Sequence, residues 1–227
     1  MGVKRSHLWP VLLAALGDAQ YDVTHAVLDS HTHGLVPQHR KRVYVLAKQQ
    51  SCQTCLNWQE VWPGPLVKAK LSDVIAWQPR PANSQPTAPF AQRRLLQVQT
   101  FLATKGVDIS TLHEAVLNLN AITMQMTNGH TPCLTATRAA GGAFWLMSQH
   151  RFFELKEMMA LQAVSPALLD LSVLPKPVAA RMLGQAFTQS VVTRLLARML
   201  AYSGLCEMAQ DPYASFLQEG ASTPMAR

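Results

Sequence analysis

Two strand-like runs near the start of the chain restrict its fold more than any other feature. The run "YDVTHAVLDS" places Val23, His25 and Val27 on one face, and "RVYVLAK" follows after a connection at residues 31–41. Alternation of this kind is typical of half-buried strands. A short connection between two such strands allows them to pair in antiparallel fashion. The beginning of the chain is therefore expected to contribute paired strands to a sheet.

Two arginines stand at the start of the second run. Strand periodicity places Arg40 and Arg42 on the same face as Tyr44. Two planar guanidiniums at one rim can bind a phosphate, a carboxylate or a base carbonyl through paired hydrogen bonds. The alternative is a strand end whose charges are simply solvated, and local spacing by itself favours that alternative.

Helical periodicity dominates much of the remaining sequence. It predicts helices at residues 8–18, 66–77, 90–106, 154–164 and 180–205. The stretch 132–147 instead predicts two short strands around Gly141 and Gly142. Prolines interrupt regular structure between residues 63 and 89. The sequence therefore combines predicted strands with predicted helices.

The bulk composition favours an anionic partner. The chain has a formal net charge of +7 and a pI of about 9.5, with 48% hydrophobic and 15% charged residues. A basic field of this kind suits nucleic acid, an anionic membrane surface or an acidic protein, and cannot choose among them. No apolar run approaches the ~20 residues that a membrane-spanning helix needs, so no membrane partner is expected.

The four cysteines point to a reduced, intracellular compartment, because they do not form the framework of a small disulfide-rich domain. Cys52 and Cys55 form a C-x-x-C pair, but no second pair follows at zinc spacing. A pair of thiols is favoured over a mixed site with nearby histidines, and no metal site is predicted.

The segment around the arginine pair resembles one part of the DNA (cytosine-5)-methyltransferases. In that family a "Tyr-x-Val…Val-Leu" strand precedes a "Gly-Val-Pro-Gln-x-Arg-x-Arg" block and a final apolar strand. Gln38, Arg40 and Arg42 keep the core of the block, with one residue more between Gly34 and Pro37 than the family has.

Further stretches resemble the family in the same order. The stretch at 130–137, "HTPCLTAT", is similar to a "Pro-x-Thr-Leu-Thr-Ala" stretch of the family's target-recognition lobe, with Cys133 where threonine is usual. Residues 151–164 resemble a helix that follows this lobe. Residues 181–192, "RMLGQAFTQSVV", resemble the closing element, with Gln185 in place of asparagine. The resemblance covers roughly residues 8–202.

The resemblance implies an α/β fold, namely the C-terminal part of a Rossmann-like, S-adenosylmethionine-dependent methyltransferase domain with an inserted, irregular target-recognition lobe. It implies four segments along the chain: the last strands of the catalytic domain at 1–49, the lobe at 50–149, helices returning to the catalytic domain at 150–209, and a flexible tail at 210–227.

The resemblance also implies an activity. In the family a cysteine thiolate adds to C6 of a flipped cytosine, and C5 takes a methyl group from S-adenosylmethionine. A positioned guanidinium stabilises the charge that develops on the carbonyl oxygen, a role that falls to Arg42, while Arg40 would brace the catalytic loop or the flipped nucleotide. The implied sites are catalytic Arg42 and Arg40, substrate- or DNA-binding Gln38, Leu134, Thr135 and Arg138, and cofactor-binding Gly184, Gln185 and Ala186.

Three family motifs have no counterpart in this sequence: the glycine-rich cofactor loop, the Pro-Cys-Gln nucleophile and the Glu-Asn-Val base-binding motif. The expectation is a fragment or one subunit, inactive alone, that binds DNA and works with a polypeptide carrying those motifs. Its location would be the nucleus in a eukaryote or the cytoplasm in a bacterium. Two alternatives stay open, a non-catalytic basic DNA-binding protein derived from this fold and a fragment of a transfer RNA cytosine methyltransferase.

Overall fold

The structure is a computed structural model that describes residues 8–51, 58–75, 86–121, 123–142, 144–205 and 211–217. These residues form two compact units. The first draws on Met1–Leu28, Lys41–Leu66 and Thr193–Arg227, and the second on Asp29–Arg40 and Val67–Val192. This division differs from the expected boundaries after residues 49 and 149, because the connection ahead of the second strand groups with the expected lobe. Cys52 and Cys55 lie outside the described residues.

The first unit contains the two strands that the sequence predicts. Helix α1 (Leu8–Asp18) precedes strand β1 (Tyr21–Asp29), and strand β2 (Lys41–Gln49) pairs with β1 in a two-stranded sheet. The backbone N–H of Gln50 donates to the Gln20 carbonyl at one end, and Ser30 N–H donates to the Arg40 carbonyl at the other. These bonds make the pair antiparallel, as predicted.

One face of this pair is covered and the other is exposed. Thr24 and Leu28 are buried on β1, and Leu46 is buried on β2, while Val43 and Val45 on the opposite face are exposed. The alternation follows from the two-residue period of a strand. Helix α1 has no buried residue.

The C-terminal part of the first unit is ordered around a buried arginine. Arg194 is 0% exposed, and its guanidinium binds the Asp211 carboxylate, with 2.7 Å between Nη2 and Oδ2. Nη2 also donates to the Gly64 carbonyl, and Leu66 forms an antiparallel bridge with Leu217. Residues 211–217 of the expected flexible tail make these contacts because a buried guanidinium needs a carboxylate partner. The flexibility of the tail as a whole stays a prediction. Residues 218–227 lie outside the described part of the chain.

The second unit is built on a four-stranded antiparallel sheet. The strands are β3 (Ala115–Asn118), β4 (Met126–Asn128), β5 (Phe144–Leu146) and β6 (Arg151–Phe152), in the order β4-β3-β5-β6.

The helices that follow α1 along the chain come from both units. They are α2 (Ser30–His33), α3 (Trp58–Val61, in the first unit), α4 (Pro89–Thr104), α5 (Ala136–Ala140), α6 (Leu155–Ala160), α7 (Lys176–Gln185) and α8 (Gln189–Tyr202). The unit boundary falls within α8.

Helices cover both faces of this sheet. Leu117 and Trp145 point to one face, where they pack in a cluster with Leu95 and Val98 of α4. The alternate strand residues Val116, Phe144 and Leu146 belong to a second cluster, which includes residues of α5, α6 and α7. Alternation along each strand thus separates the two cores.

Several predicted elements differ in the structure. The helix predicted at 66–77 is reduced to a single 3-10 turn at Leu71–Asp73, and residues 76 and 77 lie outside the described residues. The first strand predicted within 132–147 is helix α5, which the Thr135 hydroxyl caps by accepting from Arg138 N–H. The helix predicted at 180–205 divides into α7 and α8, because Ala186 adopts an extended conformation with ψ of 153°.

Within the described ranges, no helix has both the length and the apolar character needed to cross a membrane.

Candidate functional site

Gln38 ties the connection between α2 and β2 to two distant parts of the chain. Its side chain is 0% exposed. Its Nε2 donates to the Leu161 carbonyl at the end of α6 (2.8 Å), and its Oε1 accepts from Leu134 N–H (2.7 Å). Gln38 also forms a parallel backbone bridge with Thr131. The donor and the acceptor of this side-chain amide therefore both bind backbone groups of other segments.

Arg40 extends this network to the end of α7. The residue is 2% exposed. Its Nη1 donates to the Leu134 carbonyl (2.5 Å), and its Nη2 donates to the carbonyls of Ala186 (2.6 Å) and Gly184 (3.2 Å). The Asp29 carboxylate binds the backbone of this arginine, because Arg40 N–H donates to Asp29 Oδ1 at 2.9 Å. One guanidinium thus joins three segments that lie far apart in sequence.

The structure buries three of the predicted site residues. The side chains of Gln38, Arg40 and Leu134 are covered by this chain's own residues. Gln38 and Arg40 both bind the backbone of Leu134, whose side chain belongs to a hydrophobic cluster. The roles of these three residues toward a substrate stay predictions.

The other two predicted substrate residues are half-buried beside this network. Thr135 caps α5, and Arg138 Nη1 donates to the Cys133 carbonyl at 3.1 Å. Both bonds keep the segment between residue 133 and α5 in place, and part of each side chain still faces solvent.

The predicted cofactor residues lie in the turn after α7. A Cβ atom on Gly184 would lie 2.5 Å from the backbone nitrogen of Ala136, so only glycine allows α7 to approach α5 this closely. The carbonyls of Gly184 and Ala186 are both bound by Arg40. Gln185 has an exposed side chain. Of the three residues, Gln185 is therefore the one whose side chain is available to a ligand.

Arg42 belongs to the first unit, whereas Arg40 belongs to the second. It is half-buried on β2, and its Nη1 donates to the Lys41 carbonyl at 2.8 Å. The family resemblance gives the two arginines different roles, and the structure gives them different surroundings.

Sequence reasoning missed a chain of buried hydroxyls and amides next to this network. Ser30 and Thr188 hydroxyls lie 2.7 Å apart, and the Thr188 hydroxyl donates to Gln162 Oε1 at 3.1 Å. The Ser190 hydroxyl donates to the Gly34 carbonyl. Isolated serine and threonine residues carry no periodic signal, so the only pointer to them was their place within the family-like segments.

Arg151 and Glu157 form a buried ion pair, with 2.6 Å between Nη2 and Oε1. This contact joins β6 to the first turn of α6.

Three histidines and a carboxylate lie together in the second unit. The ring centroids of His31 and His39 are 4.5 Å apart, and that of His130 lies 4.8 Å from His39. Asp29 Oδ2 is 2.9 Å from His39 Nδ1. Burial, together with repulsion from His39, lowers the pKa of His31 and that of His130. Burial pushes the pKa of Asp29 upward, but its hydrogen bonds from His39, Arg40 and His31 outweigh this and lower it from 3.8.

This cluster predicts that stability falls in mild acid. The unfolded chain binds protons on its histidines below about pH 6.5, whereas His31 and His130 stay neutral in the folded chain until their lowered pKa values are reached. Their contribution is therefore complete above pH 6.5 and is lost as the pH falls through those pKa values. Urea unfolding at pH 7.5 and 5.5 should show a smaller drop for His130→Asn than for the unsubstituted chain, whereas the exposed His150→Asn should show the full drop. Equal drops in all three proteins would contradict this prediction.

Comparison with solved structures identifies the fold. The S. pombe Dnmt2 methyltransferase is 16% identical, with a TM-score of 0.55 over 87% of this chain and 64% of that one. The Entamoeba histolytica methyltransferase EhMeth is 15% identical, with a TM-score of 0.53 over 90% of this chain and 60% of that one. A variant of Spodoptera frugiperda DNMT2 is 14% identical, with a TM-score of 0.53 over 88% and 64%. These likenesses confirm the predicted α/β class.

The chain spans about three-fifths of the length of these three structures. No curated protein sequence matches it. The model of the family described as C-5 cytosine-specific DNA methylase matches residues 1–199, a range that holds the Gln38–Arg40 network and the turn after α7. The chain therefore belongs to the C-5 cytosine-specific DNA methylase family.

Proposed function

We propose that this chain is the C-terminal part of a DNA (cytosine-5)-methyltransferase, which transfers a methyl group from S-adenosylmethionine to C5 of a flipped cytosine. The observation that carries the proposal is the buried network of Gln38 and Arg40. It joins three family-like segments, namely the block before β2, the segment at residues 131–138 and the turn at residues 184–186. A network that holds such separated segments in one arrangement is what a preorganised site requires.

Arg42 is the residue that we assign to the reacting base. It lies at the start of β2, where strand hydrogen bonds hold its backbone, and its side chain is only half-buried. A guanidinium held in this way stabilises negative charge on a pyrimidine carbonyl as a nucleophile adds to the ring. Arg40 has a different role, because it binds the carbonyls of Leu134, Gly184 and Ala186 within the second unit.

The turn after α7 fits one edge of a cofactor site. The exposed Gln185 amide can form hydrogen bonds, and the Phe187 ring, which is 59% exposed, offers a stacking surface. An amide beside an aromatic ring suits a nucleoside such as that of S-adenosylmethionine. When bound, S-adenosylmethionine supplies the methyl group. Gly184 has a different role, because its missing side chain accommodates α5.

We further propose that a polypeptide with the nucleophile and the glycine-rich loop covers the apolar surface of the first unit. Val27, Val43 and Val45 are exposed on the β1–β2 pair, and Leu8 and Val11 of α1 are 74% and 63% exposed. Exposed apolar groups of this density mark interaction surfaces. The additional length of the related structures is consistent with such a covering segment.

The test combines this chain with a polypeptide that carries the family's Pro-Cys-Gln motif and glycine-rich loop. DNA containing 5-fluorocytosine should form a covalent adduct with the mixture, because the fluorine blocks release of the enzyme after methyl transfer. With ordinary DNA and radiolabelled S-adenosylmethionine, Arg42→Ala should reduce methyl transfer about a hundredfold, the usual effect of removing one charge-stabilising donor. Lys41→Ala is the matched control, because Lys41 is exposed on the same strand and should retain full transfer.

Other outcomes separate the alternatives. Methyl transfer to transfer RNA instead of DNA would move the substrate to RNA. Salt-sensitive DNA binding without any adduct would support a non-catalytic DNA-binding protein. An adduct formed by this chain alone would contradict the assignment of the nucleophile to another polypeptide.

A further inference from the structure

A cavity of about 710 Å³ opens beside the three histidines, within the second unit. The ionisable groups that line it are His31, His39, Lys68, Lys70, Glu114 and His130. Asn128 and Gly129, at the end of β4, line the cavity together with Ser72. None of these residues belongs to the network of Gln38 and Arg40, and the proposed methyl transfer assigns them no role.

The hydrogen bonds of two rings determine what they can offer to a ligand. His31 Nδ1 is 3.3 Å from the Val36 carbonyl, and His39 Nδ1 is 2.9 Å from Asp29 Oδ2. Carbonyl and carboxylate oxygens only accept hydrogen bonds, so each Nδ1 carries the proton. Each neutral ring therefore has a lone pair on Nε2, and it gains a second N–H donor only when it binds another proton.

The acidic group that lines the cavity, Glu114, and the neighbouring Asp29 are already used by the protein. Glu114 Oε1 accepts from Ser72 N–H at 3.1 Å. Asp29 accepts from His39, from Arg40 N–H and from His31 N–H. A ligand in the cavity therefore meets two lysines and three imidazoles as the available charged or chargeable groups. With neutral histidines the two lysines balance the two carboxylates, and each proton bound by an imidazole adds one positive charge.

An anion suits this set better than a metal ion. The lysine charges oppose a cation, and among the described residues no group of three histidine, cysteine or acidic side chains is arranged to hold a metal ion. A phosphate presents several acceptor oxygens and a negative charge, which complement ammonium groups and protonated imidazoles.

We propose that His31, His39 and His130, together with Lys68 and Lys70, form a proton-coupled binding site for a phosphate group, namely a backbone phosphate of the nucleic-acid substrate. The assignment of this phosphate to a nucleic acid rests on the proposed function. The affinity of the site for a phosphate group rests on the cavity alone. A contact of this kind would position the strand without reading its sequence.

Proton coupling gives the site a measurable signature. A bound phosphate favours the charged form of the neighbouring imidazoles, so it should raise the lowered pKa values of His31 and His130. By reciprocity, phosphate should bind more tightly as the pH falls, by up to about tenfold per pH unit for each proton taken up. The other titratable or charged groups around these two rings are Asp29, His39, Lys68, Lys70 and Glu114. Their charges act on the same proton-binding equilibrium.

The experiment uses the full chain and two probes, inorganic phosphate and a short single-stranded oligonucleotide. Calorimetric titrations at pH 7.5, 6.5 and 5.5 should show at least a tenfold gain in phosphate affinity toward pH 5.5, with a parallel gain for the oligonucleotide. The double variant His31→Asn/His130→Asn should lose most of this pH dependence with both probes, because it removes the two rings whose charged form phosphate favours. His150→Asn is the matched control, because this exposed histidine lies outside the cavity lining and its removal should change neither titration.

Nuclear magnetic resonance of the imidazole Cε1–H signals gives a second readout that does not depend on affinity. Phosphate should shift the titration midpoints of His31 and His130 upward in the unsubstituted chain. Phosphate affinity that is independent of pH, or that is equal in the double variant, would overturn the site. If the chain bound inorganic phosphate but not the oligonucleotide, the assignment of the phosphate to a nucleic acid would be wrong. Loss of methyl transfer alone would bear on the proposed function and not on this site.

Discussion

Replacing Arg40 with methionine is expected to lower the free energy of unfolding by about 4 kcal/mol, because three carbonyl groups lose their donor in a buried place. The carbonyls belong to Leu134, Gly184 and Ala186. Methionine has a similar length and no donor, so it fills the space without satisfying the acceptors. A loss of this size is a large fraction of the stability of an ordinary domain.

Arg40→Lys separates charge from geometry. Lysine keeps the positive charge, but its single ammonium group cannot reach carbonyls on opposite sides as a planar guanidinium does. It should therefore recover only a minor part of the loss. Arg138→Met is the control, because this half-buried arginine makes one bond to the Cys133 carbonyl and its replacement should cost about 1 kcal/mol.

Urea unfolding followed by tryptophan fluorescence and by far-ultraviolet circular dichroism measures these differences. Trp145 is a suitable probe because it is 1% exposed in the core of the same unit. If Arg40→Met unfolded at the same urea concentration as Arg138→Met, the bracing role of Arg40 would be wrong.

Gly184→Ala is expected to destabilise the chain by more than about 3 kcal/mol, at or above the usual cost of overpacking. The new Cβ would lie 2.5 Å from both Ala136 N and the Thr135 carbonyl carbon, and these are backbone atoms that cannot rotate away. Either α7 or α5 must move, and such a movement also displaces the carbonyls that Arg40 binds. The direction of this change in stability is informative, because alanine within a helix normally stabilises the helix by roughly 0.5–1 kcal/mol relative to glycine.

Gly17→Ala is the matched control for that substitution. Gly17 also lies in a helix, α1, but no atom lies within 4 Å of its added Cβ. The control should therefore show the small stabilisation that helix propensity predicts. Thermal unfolding of the two variants beside the unsubstituted chain should move in opposite directions. A Gly184→Ala protein as stable as the unsubstituted chain would mean that α7 and α5 do not approach as closely as described.

The spacing of apolar residues along the chain predicted the elements that bury one face only. Helix α4 follows its apolar spacing closely, because Leu95, Val98 and Leu102 pack on one face of a single sheet. The strand at residues 41–49 follows its alternation for the same reason. The run at 66–77 has comparable spacing, but its described part forms one 3-10 turn, with Leu71 and Ile75 packed in a core formed by other segments.

The family resemblance placed Gln38, Arg40 and Arg42 in one block of sequence and gave Arg40 a bracing role, and these roles stay predictions. It did not show which of the three side chains would be buried. The structure buries Gln38 and Arg40 and leaves Arg42 half-buried in a different compact unit. Strand periodicity reports which face a residue occupies, and it contains no information about what covers that face.

The amino-acid sequence by itself determined the family, the α/β class, the antiparallel pair of β1 and β2 and the order of the motifs, because these depend on local spacing and on residue types along the chain. Only the tertiary structure decided that Arg40 binds the carbonyls of residues 134, 184 and 186, and that His31, His39 and His130 share one cavity. The physical reason is that hydrogen bonds and charge interactions act over a few ångströms in space, between residues that lie up to about 150 positions apart in sequence.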